Sequence, residues 1–139
     1  STTKTLKALK TTGTIARFCG WNGFLDRTIW ELAIADDANT LRLEEILSKM
    51  GWKYMPVKDE PGLVGPRIVS MIINEAYFAL AEGISTKEEI NIAMQLGTNY
   101  PCGPFEWGEK IGIINIYDLL LQLAKTDKRY EPAQGMLVN

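Results

Sequence analysis

The chain has 139 residues, 46% hydrophobic and 23% charged, with a formal net charge of −2. That is enough for one domain with a real core, and the sign argues against a general nucleic-acid binder. There is no histidine, and the two cysteines, Cys19 and Cys102, stand alone, which excludes a serine triad, a His-ligated zinc, a His general base and a CxxC metal site inside this chain. Catalysis by these side chains would need a carboxylate, Lys, Cys or Tyr as proton carrier. No apolar run approaches the roughly 20 residues of a membrane span, and no signal peptide opens the chain. The expectation is a cytoplasmic protein with no membrane and no nucleic-acid partner.

In chain order, residues 1–25 carry Lys4, Lys7, Lys10 and Arg17 and no acidic residue. The choice there is between an anion-facing patch and a solvated terminus. "TIARFC" (14–19) and "TIWELAI" (28–34) are rich in β-branched and aromatic residues and predict strands, with Gly23 as the turn signal between them. "TLRLEEILSKMG" (40–51) has apolar residues at helical spacing and ends on Gly51. "KYMPV" (53–57) returns as a strand, its Pro56 pointing to an edge or a strand end. The first third therefore reads β-β-α-β.

"DEPGLVGPR" (59–67) is taken as the boundary passage, giving domains of 1–58 and 59–139. Beyond it the pattern is helical. "RIVSMIINEAYFALAEG" (67–83) is apolar nearly all round, as a central helix is, and Asn74 and Glu75 would need partners if buried. The next helix starts at a capping box, Thr86 with Glu89 or Ser85 with Glu88, and is expected to stop at Gly97. "PCGPFEWGE" (101–109) makes a sharp bend, with Pro104 suited to the first turn of a short helix. A last long helix spans 114–125.

Several of these passages resemble the C-terminal helical domain of the 3-hydroxyacyl-CoA dehydrogenase family: "KDEPGLVGPR", "INEAYFALAEG", "EEINIAMQLGTNYPCGPFEWGEKIG" and "YDLLLQLA". The likeness is ordered, nearly without gaps, and covers about half the chain. "CGWN" (19–22) and "IWE" (29–31) also look like the end of the family's NAD-binding domain. The resemblance implies an α+β fold: a small Rossmann-type β-β-α-β segment, then an all-α domain like the C-terminal domain of 6-phosphogluconate dehydrogenase. It implies a chain beginning late within the cofactor domain. No G-x-G-x-x-G occurs in it, so no cofactor is expected to bind this chain in the family's manner, although NAD serves the family.

The resemblance also carries site positions. In the family a His takes the proton from the 3-hydroxyl and a Glu orients the imidazole; the matching positions are Cys19 and Glu31. A thiol titrates near 8.5 and its thiolate is a nucleophile more than a proton shuttle, so Cys19 is no substitute. The family's boundary Asn falls on Pro66, which has no side-chain donor, and its substrate-side Asn falls on Asn22. Phe105 and Trp107 match aromatics that wall an acyl cleft. Each has a structural alternative: Glu31 a strand carboxylate, Asn22 a turn residue before Gly23, Cys19 plain core, Phe105 and Trp107 burial against helix 67–83.

The expected function is the substrate-side and dimerisation portion of a 3-hydroxyacyl-CoA dehydrogenase-like protein of fatty-acid metabolism, not catalytic by itself. The partners expected are a second copy and an acyl-CoA ligand. The alternative is a non-catalytic acyl-CoA-binding or interaction module derived from that family. A third option is different chemistry through Cys19 or Glu31.

Overall fold

The computed structural model describes residues 2–10, 15–35 and 40–137. Two compact units emerge, residues 1–67 and 68–139. The first holds α1 (Leu6–Leu9), β1 (Ala16–Arg17), β2 (Ile29–Ile34), α2 (Thr40–Lys49) and β3 (Lys53–Pro56). The expected β-β-α-β order is present; Thr14, the first residue of the first expected strand, lies outside the described residues. β1 pairs antiparallel with β2, Ala16 opposite Ile34 and Arg17 opposite Ala33. β2 pairs parallel with β3, from Ile29 opposite Lys53 to Leu32 opposite Pro56. Pro56 has no N–H to donate, which suits the last residue of an edge strand. Ala33, Leu32 and Arg17 are the most deeply buried residues of the sheet.

α3 (Gly65–Ala81) begins with Gly65, Pro66 and Arg67 of the first unit and supplies the long helix of the second. "EPGL" ahead of it is a type II turn: Pro61 leads, Gly62 takes φ 80°, and the Leu63 N–H donates to the Glu60 carbonyl at 3.0 Å. α4 (Lys87–Thr98), α5 (Pro104–Ile111), α6 (Ile113–Ala124) and a 3-10 turn (Lys128–Tyr130) complete the second unit. Its core is built on Ile73 of α3 with Ile116, Leu119 and Leu120 of α6, all fully buried.

Of the two capping frames, Thr86 with Glu89 is the one formed: the Thr86 hydroxyl accepts from the Glu89 N–H and the Glu89 carboxylate accepts from the Thr86 N–H. Ser85 also donates to that carboxylate. These donors hold the Glu89 carboxyl below its ordinary range. α4 does not stop at Gly97. It runs to Thr98, because Asn99 at φ 56° takes the left-handed position that ends a helix, and an asparagine tolerates it. Gly97 is exposed, with open space where a Cβ would sit.

Asn74 and Glu75 part company. Glu75 is exposed, whereas Asn74 is 1% exposed. The Asn74 amide donates to the Glu131 carbonyl at 2.9 Å, and its oxygen accepts from the Ala133 N–H at 2.8 Å. Both bonds mimic backbone pairing, so one buried side chain fastens the C-terminal segment to α3 and satisfies two otherwise orphaned groups.

Candidate functional site

Cys19 and Glu31 line one small cavity of about 10 Å³ with Phe18, Phe24, Arg27 and Trp30. That volume is about one water molecule's worth. The Glu31 carboxylate is 11% exposed, and one of its oxygens lies 3.3 Å from an Arg27 nitrogen. Among the described residues its other hydrogen bonds come from backbone N–H groups. Gly65 N–H donates to both oxygens at 3.0 Å, and Val64 N–H donates to one at 3.1 Å. Glu31 therefore caps the N-terminus of α3, where free N–H groups and the helix dipole favour an anion. A Cβ on Gly65 would stand 2.8 Å from the Glu31 carboxylate and 2.9 Å from the Arg27 guanidinium, so glycine is what lets the carboxylate in. Pro66 follows in the first turn, buried, where a missing N–H is tolerated.

Cys19 is 6% exposed; its sulfur accepts from the Trp21 N–H at 3.5 Å and lies 3.7 Å from the Thr2 hydroxyl. Burial pushes its thiol up; the bonds from Trp21 and Thr2 and the charge of Arg27 oppose this incompletely. Burial pushes the Cys102 thiol up as well. The neutral thiol is the form the fold favours. Its contribution is full below the ordinary thiol value of about 8.5 and is lost as pH rises through the raised one. Native Cys19 should therefore resist iodoacetamide at about pH 8 and react fully only in denaturant. Peptide mass spectrometry before and after unfolding checks this; fast labelling of the native chain would contradict it.

Asn22 lies exposed on the turn of residues 21–26. Arg17 does not belong to a surface patch with the lysines. It is 3% exposed, and its guanidinium meets Asp59 at 2.9 Å and the Glu60 carbonyl at 2.6 Å. The second Asp59 oxygen accepts from the Leu6 N–H at 2.7 Å, so the Asp of the "KDEPG" passage ties α1, β1 and the boundary turn together. Sequence reasoning gave Asp59 no task, because its partners lie 42 and 53 residues away.

The "PCGPFEWGE" bend is also held by side chains. Asn91 of α4 accepts from the Phe105 N–H at 3.0 Å, and Glu106 accepts from the Gly103 N–H at 3.1 Å and from Gln95 at 3.0 Å. Phe105 is 5% exposed and packs edge-on against Tyr77, ring centroids 4.9 Å apart. Trp107 is half-buried against Tyr100, centroids 5.6 Å apart. Both aromatics thus have partners within the helical unit.

NAD is the cofactor the resemblance implies, and the starts of α3, α4 and α5 do not offer its pyrophosphate open N–H groups. The N–H groups starting α3, α4 and α5 are engaged by Glu31, by Thr86, and by Asn91 with Glu106. A dinucleotide site of the Rossmann kind needs such a helix start open to the ligand.

The family description "3-hydroxyacyl-CoA dehydrogenase, C-terminal domain" matches residues 62–139. The 3-hydroxyadipyl-CoA dehydrogenase of Escherichia coli (strain K12) is 39% identical over 107 residues, 76% of this chain and 22% of that protein. A 3-hydroxybutyryl-CoA dehydrogenase of Bradyrhizobium diazoefficiens is 33% identical over 99 residues, 70% of this chain and 34% of that protein. The chain therefore spans about a fifth to a third of the length of these relatives. The crystal structure of 3-hydroxybutyryl-CoA dehydrogenase from Escherichia coli K12 superposes with a TM-score of 0.81 at 31% identity, covering 98% of this chain and 29% of that one. The (S)-3-hydroxybutyryl-CoA dehydrogenase from Ralstonia eutropha gives 0.84 at 27% identity, covering 98% and 51%. With the α+β architecture and the boundary and bend motifs in place, these matches establish that the chain belongs to the 3-hydroxyacyl-CoA dehydrogenase family, whose C-terminal domain it carries.

Proposed function

We propose that this chain is the substrate-side, dimer-forming portion of a 3-hydroxyacyl-CoA dehydrogenase-type protein, and that it does not transfer hydride by itself. Residues 1–58 act as the end of a dinucleotide-binding domain and residues 59–139 as the helical domain, in a cytoplasmic protein of fatty-acid metabolism. The observation that carries this reading is the state of the Cys19–Glu31 pair: a thiol pushed up by burial stands where the family has its imidazole, and the carboxylate is held by the backbone of Val64 and Gly65. Neither group can accept a proton from a hydroxyl without giving up its present role. Glu31 and Cys19 keep the dyad positions without its chemistry. Asn22 and Pro66 stand at the family's substrate-side positions, Pro66 without the polar group, and Phe105 and Trp107 at its acyl-wall positions.

A second copy is the partner. The helical unit leaves Ile84, Ile92, Leu96 and Ile114 more than half exposed, and apolar surface of that kind favours association. Acyl-CoA is the ligand class. The names of the relatives, dehydrogenases of CoA thioesters, support it. An alternative keeps the ligand but drops the enzyme: an acyl-CoA-binding or interaction module, favoured by the same loss of imidazole at Cys19 and of the Asn at Pro66. Calorimetric titration with acetoacetyl-CoA against free CoA tests the acyl reading. Tighter binding of the thioester supports it, and equal or absent binding overturns it. A monomer in sedimentation at micromolar concentration would remove the dimer.

A further inference from the structure

The first unit has an open cleft of about 530 Å³ lined by Leu25, Asp26, Arg27, Thr28, Trp30, Gly51, Trp52 and Lys53. That volume lies within the range of small-molecule sites. Its aromatic wall is Trp30 and Trp52. Trp30 and Trp52 stack face to face, centroids 4.6 Å apart and planes 6° from parallel. Phe18, which is not part of the cleft's lining, meets Trp30 edge-on at 5.2 Å. Trp52 is 39% exposed.

The platform is pre-set by the backbone. Gly51 takes φ 69° where α2 ends, and the Trp52 N–H donates to the Leu47 carbonyl at 2.9 Å. A ring landing on Trp52 would find it already placed, which lowers the ordering cost of binding. Lys53 brings positive charge to the same cleft, as does Arg27, which also pairs with Glu31 at 3.3 Å and lies over the Phe24 ring; Asp26 adds a negative charge and Thr28 a hydroxyl. An indole face beside cationic side chains suits a flat heterocycle that carries an anion.

We propose that this cleft binds a nucleoside monophosphate, its base stacked on Trp52 and its phosphate toward Lys53 and Arg27. This site shares Arg27 and Trp30 with the small Cys19–Glu31 cavity but does not depend on the acyl-CoA reading, because the probe contains no thioester. The test is quenching of tryptophan fluorescence on titration with AMP, adenosine and inorganic phosphate. Saturable quenching by AMP is expected, with adenosine several-fold weaker for want of the phosphate. Trp52→Leu should weaken AMP at least tenfold while an unchanged thermal melt reports an intact fold. Lys53→Gln, at an exposed position, should bring AMP to the level of adenosine and serves as the second variant if Trp52→Leu fails to fold. Absence of saturable AMP quenching, equal affinity in Lys53→Gln, or the same response to phosphate alone would overturn the proposal.

Discussion

Asp59→Ala should lower the unfolding free energy by roughly 2–3 kcal/mol, less than breaking a fully buried ion pair because Asp59 is itself 23% exposed. The size follows from what is left behind. Arg17, 3% exposed, keeps the Glu60 and Thr2 carbonyls but loses its charged partner, and the Leu6 N–H at the start of α1 loses its acceptor. Asp59→Asn keeps an acceptor for Arg17 but not the charge, and should fall between wild type and alanine. Urea denaturation followed by circular dichroism measures all three. A loss below about 1 kcal/mol for alanine would place the pair among surface bridges of little weight and contradict this account.

Gly103→Ala should cost about 2–3 kcal/mol, the upper part of the range for overpacking. Its φ of −70° is open to any residue, so the obstacle is space, not backbone conformation. The added methyl would lie 2.2 Å from Asn91 Oδ1, 2.3 Å from its Cγ and 2.4 Å from its Cβ. Turning the amide aside relieves only the first two contacts and releases the Phe105 N–H. Asn91→Gly should therefore rescue part of the Gly103→Ala loss in a double-mutant cycle, whereas Asn91→Ala, which keeps its Cβ, should not. Additive effects of Gly103→Ala and Asn91→Gly would mean that the bend is not held by this contact.

What the sequence disclosed and what it hid follow from the range of the interactions involved. The strands and long helices were legible because β-branched runs and helical spacing are local signals, and the Thr86–Glu89 box spans only three residues. α1 was not. Four residues do not sustain a helix by propensity, and this one is fixed by Thr5 and by Asp59 from far along the chain. Gly97 misled because a glycine near a helix end usually marks the stop, while here Asn99 takes the left-handed residue's place. Arg17 was grouped with lysines on charge alone. Its burial depends on the register of β1 and on Asp59.

The candidate site divides in the same way. That Cys19 and Glu31 border one cavity was foreseeable only through the family resemblance, since the residues are apart in sequence and neither is a motif alone. The capping of α3 by Glu31 left little sequence signal: its partners are backbone N–H groups, which every residue but proline has. The glycine at position 65 was the available hint, because a Cβ there would displace the carboxylate. The Trp30–Trp52 stack joins a strand to the turn after α2 and was likewise invisible until the sheet was assembled.

The central claim is that this chain has exchanged the family's proton-transfer pair for a buried thiol and a helix cap. Its most direct test is NADH-dependent reduction of acetoacetyl-CoA by the 139-residue chain, with Glu31→Gln measured beside it. The account predicts no turnover above the uncatalysed rate in either protein, with Glu31→Gln lowering stability because an amide is a poorer acceptor for the N–H groups of Val64 and Gly65. Turnover by the unaltered chain that disappears in Glu31→Gln would contradict it.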